Sequence, residues 1–308
     1  MVRIAFLGTP RAAVPVLRAL AEEGVEAVFC NPDRPAGRGR HLEAPPVKVA
    51  AQELGLPLHQ PLSWKAPETR ELWESLRIDL AVVVAYGHIL PRWMLDSCAL
   101  GTWNLHFSLL PRWRGAAPVN HALLAGDEET GVSLMRITPG LDEGPVLSQS
   151  HRDITQQDTA ESLLTELSSD AAELLMDQLP LLLSGSGQPK EQAHDRATYA
   201  AKLRKDMGHL DWRRPASVLH RQVRALWPWP GSEVQVDGQT LKVCGVGSLR
   251  PVCYRDPGQL LWGKEEGAWL VTSEGALELT HLQRPGKPVQ PALQALQPWG
   301  VSGSRPLA

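Results

Sequence analysis

From residue 2 to about residue 110, short apolar runs alternate with stretches of helical period, and this alternation narrows the possible folds more than any other feature. Residues 2–7 read as a buried strand and 11–23 as a helix carrying Val14, Leu17, Ala19 and Leu20. Val25–Phe29 gives a second strand. Helices are expected at about 47–54 and 68–76, with a strand near 56–59 between them. The unbroken apolar run Leu80-Ala-Val-Val-Val-Ala-Tyr86 is the mark of a strand covered on both faces, as in parallel sheets. The pattern predicts an α/β fold with a doubly wound, mostly parallel sheet, whose ligands sit beyond the carboxyl ends of its strands.

Asn104-Leu105-His106 falls at such a strand end, and Gly140-Leu141-Asp142-Glu143-Gly144 follows about thirty residues later. Side chains two apart in a strand share a face, so Asn104 and His106 project together. A reacting carbonyl placed there would meet two hydrogen-bond donors. Asp142, on a turn flanked by glycines, could orient the imidazole or raise its basicity. Taken singly, each residue has an ordinary explanation: a satisfied polar pair at a strand end, and a turn aspartate. Together they describe attack on an acyl carbon.

Further along, Val132–Ile137 and Pro145–His151 read as strands, and 158–183 as one helix or two, ending at Ser184-Gly-Ser-Gly-Gln-Pro189. The stretch to about Asp206 lacks periodicity and reads as a linker. A helix at 215–226 then precedes short runs, Glu233–Val236, Leu241–Val246, Trp269–Thr272 and Ala276–Thr280, divided by Gly or Pro, which suggest a small β-barrel. The expected division is therefore 1–188, a linker at 189–205, and 206–308. At 308 residues two cores are affordable.

Several function classes fall away. Gly8 follows a strand without G-x-G-x-x-G, and no P-loop is present. Four scattered cysteines form no C-x-x-C pair, so neither a zinc site nor a disulfide framework is expected. No apolar stretch is long enough to span a bilayer, and the first residues do not read as a signal peptide, so a cytoplasmic protein is expected. The net charge of −3 hides an asymmetry: residues 1–204 hold 19 Lys/Arg against 25 Asp/Glu, and 205–308 hold 12 against 9. A modestly basic C-terminal part is compatible with a polyanion but does not require one. The Pro-, Gly- and Arg-rich segment 31–46 reads as a long exposed loop, in which Arg34, Arg38 and Arg40 could form a hook for phosphate. Most of the eleven Trp are expected in cores, although Trp227 and Trp229 could stack on bases.

The chain resembles the methionyl-tRNA formyltransferases, folate-dependent enzymes, nearly end to end. The resemblance is carried by Gly8-Thr9-Pro10, Asn31-Pro-Asp-Arg-Pro-Ala-Gly-Arg-Gly39, Val84-Ala-Tyr-Gly87, Asn104-x-His106-x-Ser-Leu-Leu-Pro111, Arg114-Gly115-Ala-Ala-Pro118, Thr130-Gly131 and Leu141-Asp-x-Gly144. In the second part Tyr199-Ala-x-Lys-Leu203, Asp211-Trp212, Arg224-Ala225, Trp227-Pro-Trp-Pro230 and Pro285-Gly-Lys287 extend it. Asn31 stands where the family often has Gln, and Phe107 where a small residue such as Gly is usual.

The resemblance implies a Rossmann-like formyltransferase domain followed by an OB-like domain. It implies 10-formyltetrahydrofolate as formyl donor, initiator Met-tRNA as acceptor, no metal and a monomer. It makes Asn104, His106 and Asp142 the catalytic residues, assigns folate binding to Ser108, Leu109, Leu110 and Pro111 and to Tyr86 and Gly87, and assigns tRNA binding to Arg34, Arg38 and Arg40. In this reading Asn104 and His106 donate to the oxyanion, while Asp142 fixes the useful tautomer of His106 and helps remove the amine's proton. Two alternatives stay open: another folate-dependent formyltransferase or hydrolase, and a non-catalytic RNA-binding protein on the same scaffold.

Overall fold

The computed structural model describes residues 2–36, 41–251 and 256–307. They form two compact units, one of residues 1–118, 129–152 and 164–200, the other of 119–128, 153–163 and 201–308. No helix among the described residues is long and apolar enough to cross a membrane.

The first unit is built on β1 (Ile4–Gly8), α1 (Val14–Ala21), β2 (Val25–Phe29), β3 (Arg34–Ala36), β4 (His41–Glu43), α2 (Pro46–Glu53), β5 (Leu58–His59), α3 (Pro67–Leu76), β6 (Leu80–Val84), α4 (Arg92–Ser97), β7 (Thr102–His106) and β8 (Arg114–Gly115). After α5 (Pro118–Ala125), which belongs to the second unit from Val119 on, come β9 (Glu129–Arg136), β10 (Val146–Asp153), α6 (Ala160–Ser184) and β11 (Tyr199–Ala200). The main sheet runs β10-β9-β7-β6-β1-β2-β5. β5, β2, β1, β6 and β7 are parallel neighbours, and β9 returns antiparallel to β7 with Ser133 opposite His106. The chain works outward from β1 through β2 to β5, then resumes on the other side of β1 with β6. A ligand crevice opens at that reversal.

Every residue of β6 is buried, as an unbroken apolar run requires. On one side of the sheet Phe29, Trp64, Trp73, Tyr86 and Met94 pack into a core in which Trp64 Nε1 donates to the Tyr86 hydroxyl at 3.1 Å. Burying a side chain of that size stabilises by roughly 1.5–3 kcal/mol. The 158–183 stretch is a single helix despite Pro180. The segment 31–46 differs from expectation: it holds a short hairpin in which β3 pairs antiparallel with β4, Arg34 facing Glu43. Three-residue strands are too short for alternation to register, and Pro35 is tolerated in a strand with a free edge.

The second unit contains α7 (Ala216–Leu226), β12 (Ser232–Val236), β13 (Gln239–Arg250), β14 (Gln259–Gly263), β15 (Gly267–Val271), β16 (Ala276–Gln283), β17 (Gln290–Pro291), α8 (Ala292–Leu296) and β18 (Gly303–Pro306). Its antiparallel sheet runs β12-β13-β16-β15-β14-β18, with β17 also on β16. Irregular register along β13 between Val243 and Leu249 bends the sheet, and it curls until Val236 bridges Leu307 antiparallel, giving the expected small barrel. The β12–β13 turn is Asp237-Gly238, both residues at positive φ, the geometry that matches the twist of a two-residue hairpin. Leu219 and Val223 of α7 pack into the barrel core with Leu241, Val243, Leu260 and Leu270.

Candidate active site

The exit of β6, the end of β7 and the turn after β9, together with Gly115, Ala116 and Pro118, line one cavity of about 490 Å³ in the first unit. That volume suits a single small-molecule ligand. Its lining includes Tyr86 and Gly87 from the first stretch, Asn104, His106 and Phe107 from the second, and Leu141 and Asp142 from the third.

Asn104 and His106 stand two apart on β7, so both reach the cavity. Asp142 gets there because the chain doubles back. Arg136 lies opposite Trp103 near the start of β7, and its N–H donates to the Pro145 carbonyl at 2.9 Å, which closes the loop at its base. Gly144 permits this approach, since a Cβ there would overlap the Arg136 carbonyl oxygen. Asp142 itself has φ 49°, a left-handed conformation that Asp tolerates better than most residues. Its Oδ2 accepts the Gly115 N–H at 2.8 Å. Gln192 Nε2 holds the carbonyls of Asp142 at 2.9 Å and Gly144 at 2.7 Å, and the buried guanidinium of Arg114 in turn grips Gln192 Oε1 at 3.0 and 2.7 Å.

His106 is only 6% exposed. Its Nε2 donates to the Trp113 carbonyl at 2.9 Å, because a carbonyl can only accept. That contact fixes the tautomer, a task the sequence reading gave to Asp142. Nδ1 lies 3.8 Å from Asp142 Oδ2, close enough for an ion pair but beyond hydrogen-bond length. Two further residues beside the cavity share the left-handed backbone, Ala85 at φ 46° and Trp113 at φ 62°. Strain of about 1–3 kcal/mol per such residue persists only where the surroundings impose it, and it clusters at functional sites.

The other expected residues divide. Tyr86 and Gly87 line the cavity, but Tyr86 is buried with its hydroxyl turned inward to Trp64, and burial pushes its pKa up. Ser108, Leu109, Leu110 and Pro111 do not line it. Ser108 is fully buried, its Oγ donates to the Arg112 carbonyl at 2.6 Å, and its own carbonyl accepts from Ser133 Oγ at 2.6 Å. The Leu110 N–H bonds Ser133 Oγ at 3.0 Å. The segment is thus a stapled turn that fixes where β7 ends. Arg34 lies exposed on β3, whereas Arg38 and Arg40 fall outside the described residues.

Sequence reasoning missed Gln192, Arg114 as its anchor, and the Trp113 carbonyl. Gln192 sits in a stretch without period, and a main-chain oxygen has no letter of its own. Arg114 offered the one usable signal, a basic residue between a turn and a glycine.

A family model described as formyl transferase matches residues 2–179, and a second, described as formyl transferase, C-terminal domain, matches 202–298. Curated relatives include a methionyl-tRNA formyltransferase of Methylococcus capsulatus, 44% identical over 305 residues that cover 98% of this chain and 99% of that protein. Another, from Halorhodospira halophila, is 47% identical over 296 residues, 96% of this chain and 95% of that protein. Among solved structures, an N-formyltransferase from Helicobacter canadensis in complex with folinic acid and dTDP-3-aminofucose is similar with a TM-score of 0.68 at 17% identity, covering 91% of this chain and 99% of that one. HypX from Aquifex aeolicus in complex with tetrahydrofolic acid is similar with a TM-score of 0.64 at 19% identity over 96% of this chain. This chain spans about half the length of HypX, 47%. At such identities the two structures speak for the fold alone, whereas the family matches and the curated relatives speak for descent: the chain belongs to the formyl transferase family, among the methionyl-tRNA formyltransferases.

Proposed function

We propose that this protein transfers the formyl group of 10-formyltetrahydrofolate to the α-amine of initiator methionyl-tRNA, giving N-formylmethionyl-tRNA for translation initiation. The observation that carries the reading is the meeting of Asn104, His106 and Asp142 around one cavity of ligand size. The near full-length similarity to curated methionyl-tRNA formyltransferases supports the choice of acceptor.

The amine nitrogen bonds to the formyl carbon, the formyl oxygen becomes an oxyanion, and the bond to N10 of the folate then breaks. No described residue takes up the Asn104 side chain, so its Nδ2 is available to the oxyanion. His106 has Nε2 committed to Trp113, so it acts through Nδ1. A proton on Nδ1 points a second donor at the same oxygen, with the Asp142 carboxylate 3.8 Å from that nitrogen. Asp142 Oδ2 is held by Gly115, which leaves Oδ1 to take the amine's proton. One proton leaves the amine and one is delivered to N10, so the relay returns to its starting state.

The folate occupies the cavity beside Tyr86 and Gly87, with the Ser108–Pro111 turn as the support behind it. Arg34, Arg38 and Arg40 contact phosphates at the acceptor end of the tRNA, and the C-terminal part, 206–308, holds its stem, joined by 189–205 to a catalytic part of 1–188. The protein acts as a monomer in the cytoplasm. The test is an incubation with 10-formyltetrahydrofolate and Met-tRNA, with a nucleotide-linked amino sugar as competing acceptor. Formyl-Met-tRNA as sole product is expected. Formylation of the sugar amine, or hydrolysis of the donor alone, overturns the reading.

A further inference from the structure

His88 lines the same cavity and has no part in the chemistry above. Its Nε2 meets Asn31 Oδ1. Which atom donates is decided one bond further on. Asn31 Nδ2 donates to the Tyr86 carbonyl at 3.1 Å, so the amide must turn its oxygen toward the ring, and that oxygen only accepts. Nε2 of His88 therefore carries the proton.

Asn31 is held on every side. Its N–H bonds Thr9 Oγ1 at 3.2 Å, and its carbonyl accepts from Gln60 Nε2 at 2.8 Å. The same Gln60 amide donates to Asp33 Oδ1 at 3.0 Å, and Asp33 pairs with Lys48 at 2.7 Å. The network joins the ends of β1, β2 and β6, where the strand order reverses, and its outcome is one fixed tautomer. Burial, and then the charge of Arg34, hold the His88 pKa below its ordinary value, so the ring stays neutral with a bare lone pair on Nδ1. No described residue donates to that atom.

Apart from Asn104, His106, Thr138 and Asp142, the other side chains lining the cavity with His88 are mostly apolar, among them Val83, Ile89, Leu90 and Phe107, and the Tyr86 hydroxyl is taken by Trp64. A reduced pterin is a flat bicycle with ring N–H and amino donors on its edge. In such surroundings one of those donors would go unmet unless the protein supplies an acceptor, and unmet buried donors are costly. We propose that His88 is a positioning residue for the formyl donor, accepting at Nδ1 a hydrogen bond from an N–H of its pterin ring. The inference rests on the folate reading above.

The experiment measures binding of tetrahydrofolate alone, without tRNA, by titration calorimetry. It is paired with donor and acceptor kinetics and with thermal melts to establish folding. His88→Leu removes the acceptor. His88→Gln restores the arrangement, because its amide can donate to Asn31 and accept from the ligand. Expected are an approximately tenfold weaker affinity and a similar rise in donor KM for His88→Leu, with kcat and the KM for Met-tRNA unchanged, and recovery to within about threefold for His88→Gln. His88→Ala replaces the Leu variant should that one fail to fold. Wild-type affinity in the Leu variant overturns the inference, as does a Gln variant as weak as Leu. If the unaltered protein does not bind tetrahydrofolate, the donor reading falls instead, so the two failures are distinguishable.

Discussion

His106 and His220 are equally hidden, each 6% exposed, yet they keep opposite company. His106 lines a cavity with its Nδ1 3.8 Å from the Asp142 carboxylate. His220 stands on α7 one turn before the Arg224 guanidinium, donates to the Gly247 backbone, and is pushed down to about 4 by burial and then by that cation. The first ring faces a carboxylate, whereas a positive charge on the second is opposed by a guanidinium. Burial alone does not distinguish the two histidines; the sign of the neighbouring charge does. Arg224 is itself spoken for, donating from Nη1 to the carbonyls of Thr155 at 2.9 Å and Asp158 at 2.8 Å. The first histidine lines a cavity, and the second stands beside an arginine that ties chain together.

The contrast breaks first at the three groups proposed for catalysis. Asn104→Ala, His106→Ala and Asp142→Asn should each lower the formylation rate by about a hundredfold or more while leaving the thermal midpoint nearly where it was. Near-normal turnover in all three would remove the reason for separating the two histidines.

Arg224→Met is the converse case. It strips the Thr155 and Asp158 carbonyls of a charged donor and should cost about 1.5–3 kcal/mol of stability. The readout is a denaturant titration of the whole protein, and an unshifted midpoint would show that Arg224 ties nothing.

A smaller effect separates the histidines by pH. His220 binds its proton far less readily folded than unfolded, so below about pH 6.5 the unfolded chain takes up a proton that the folded one refuses. Stability should therefore be whole above that pH and decline as pH falls toward about 4, by at most about 1.4 kcal/mol per pH unit from this group. His220→Gln should flatten that part of the pH profile, whereas an identical slope in the variant would assign the decline elsewhere.

The faintest signal belongs to a charge at the surface. Arg34→Ala should weaken tRNA binding a few-fold and lower the slope of log affinity against log salt by about one. Unchanged affinity and slope would leave the hairpin without a role in binding.

Much of the fold was legible because its signals are local. The buried β6 run, the periodicity of α1 and α3 and the short runs of the barrel each declare themselves within a dozen residues. Asn104 and His106 were legible as a pair for the same reason, since two residues on one strand need only a period of two. The Asp142 loop was signalled by its glycines, but not how the carboxylate is held, because Gly115, Gln192 and Arg114 come from distant stretches with no periodic mark. The His88–Asn31 pair spans 57 residues and was hidden for the same reason. The Ser108–Pro111 motif stood out in sequence, yet its side chains serve the turn rather than the cavity.

The hold on His106 has an evolutionary corollary. Since the atom that grips its ring is a peptide oxygen, no exchange of side chain at Trp113 deletes it; only a residue that refuses the left-handed turn would drag that oxygen away. Drift at this position is therefore cheap toward asparagine or glycine and dear toward valine or isoleucine. A lineage could rewrite the tryptophan entirely while inheriting the same orientation of the imidazole.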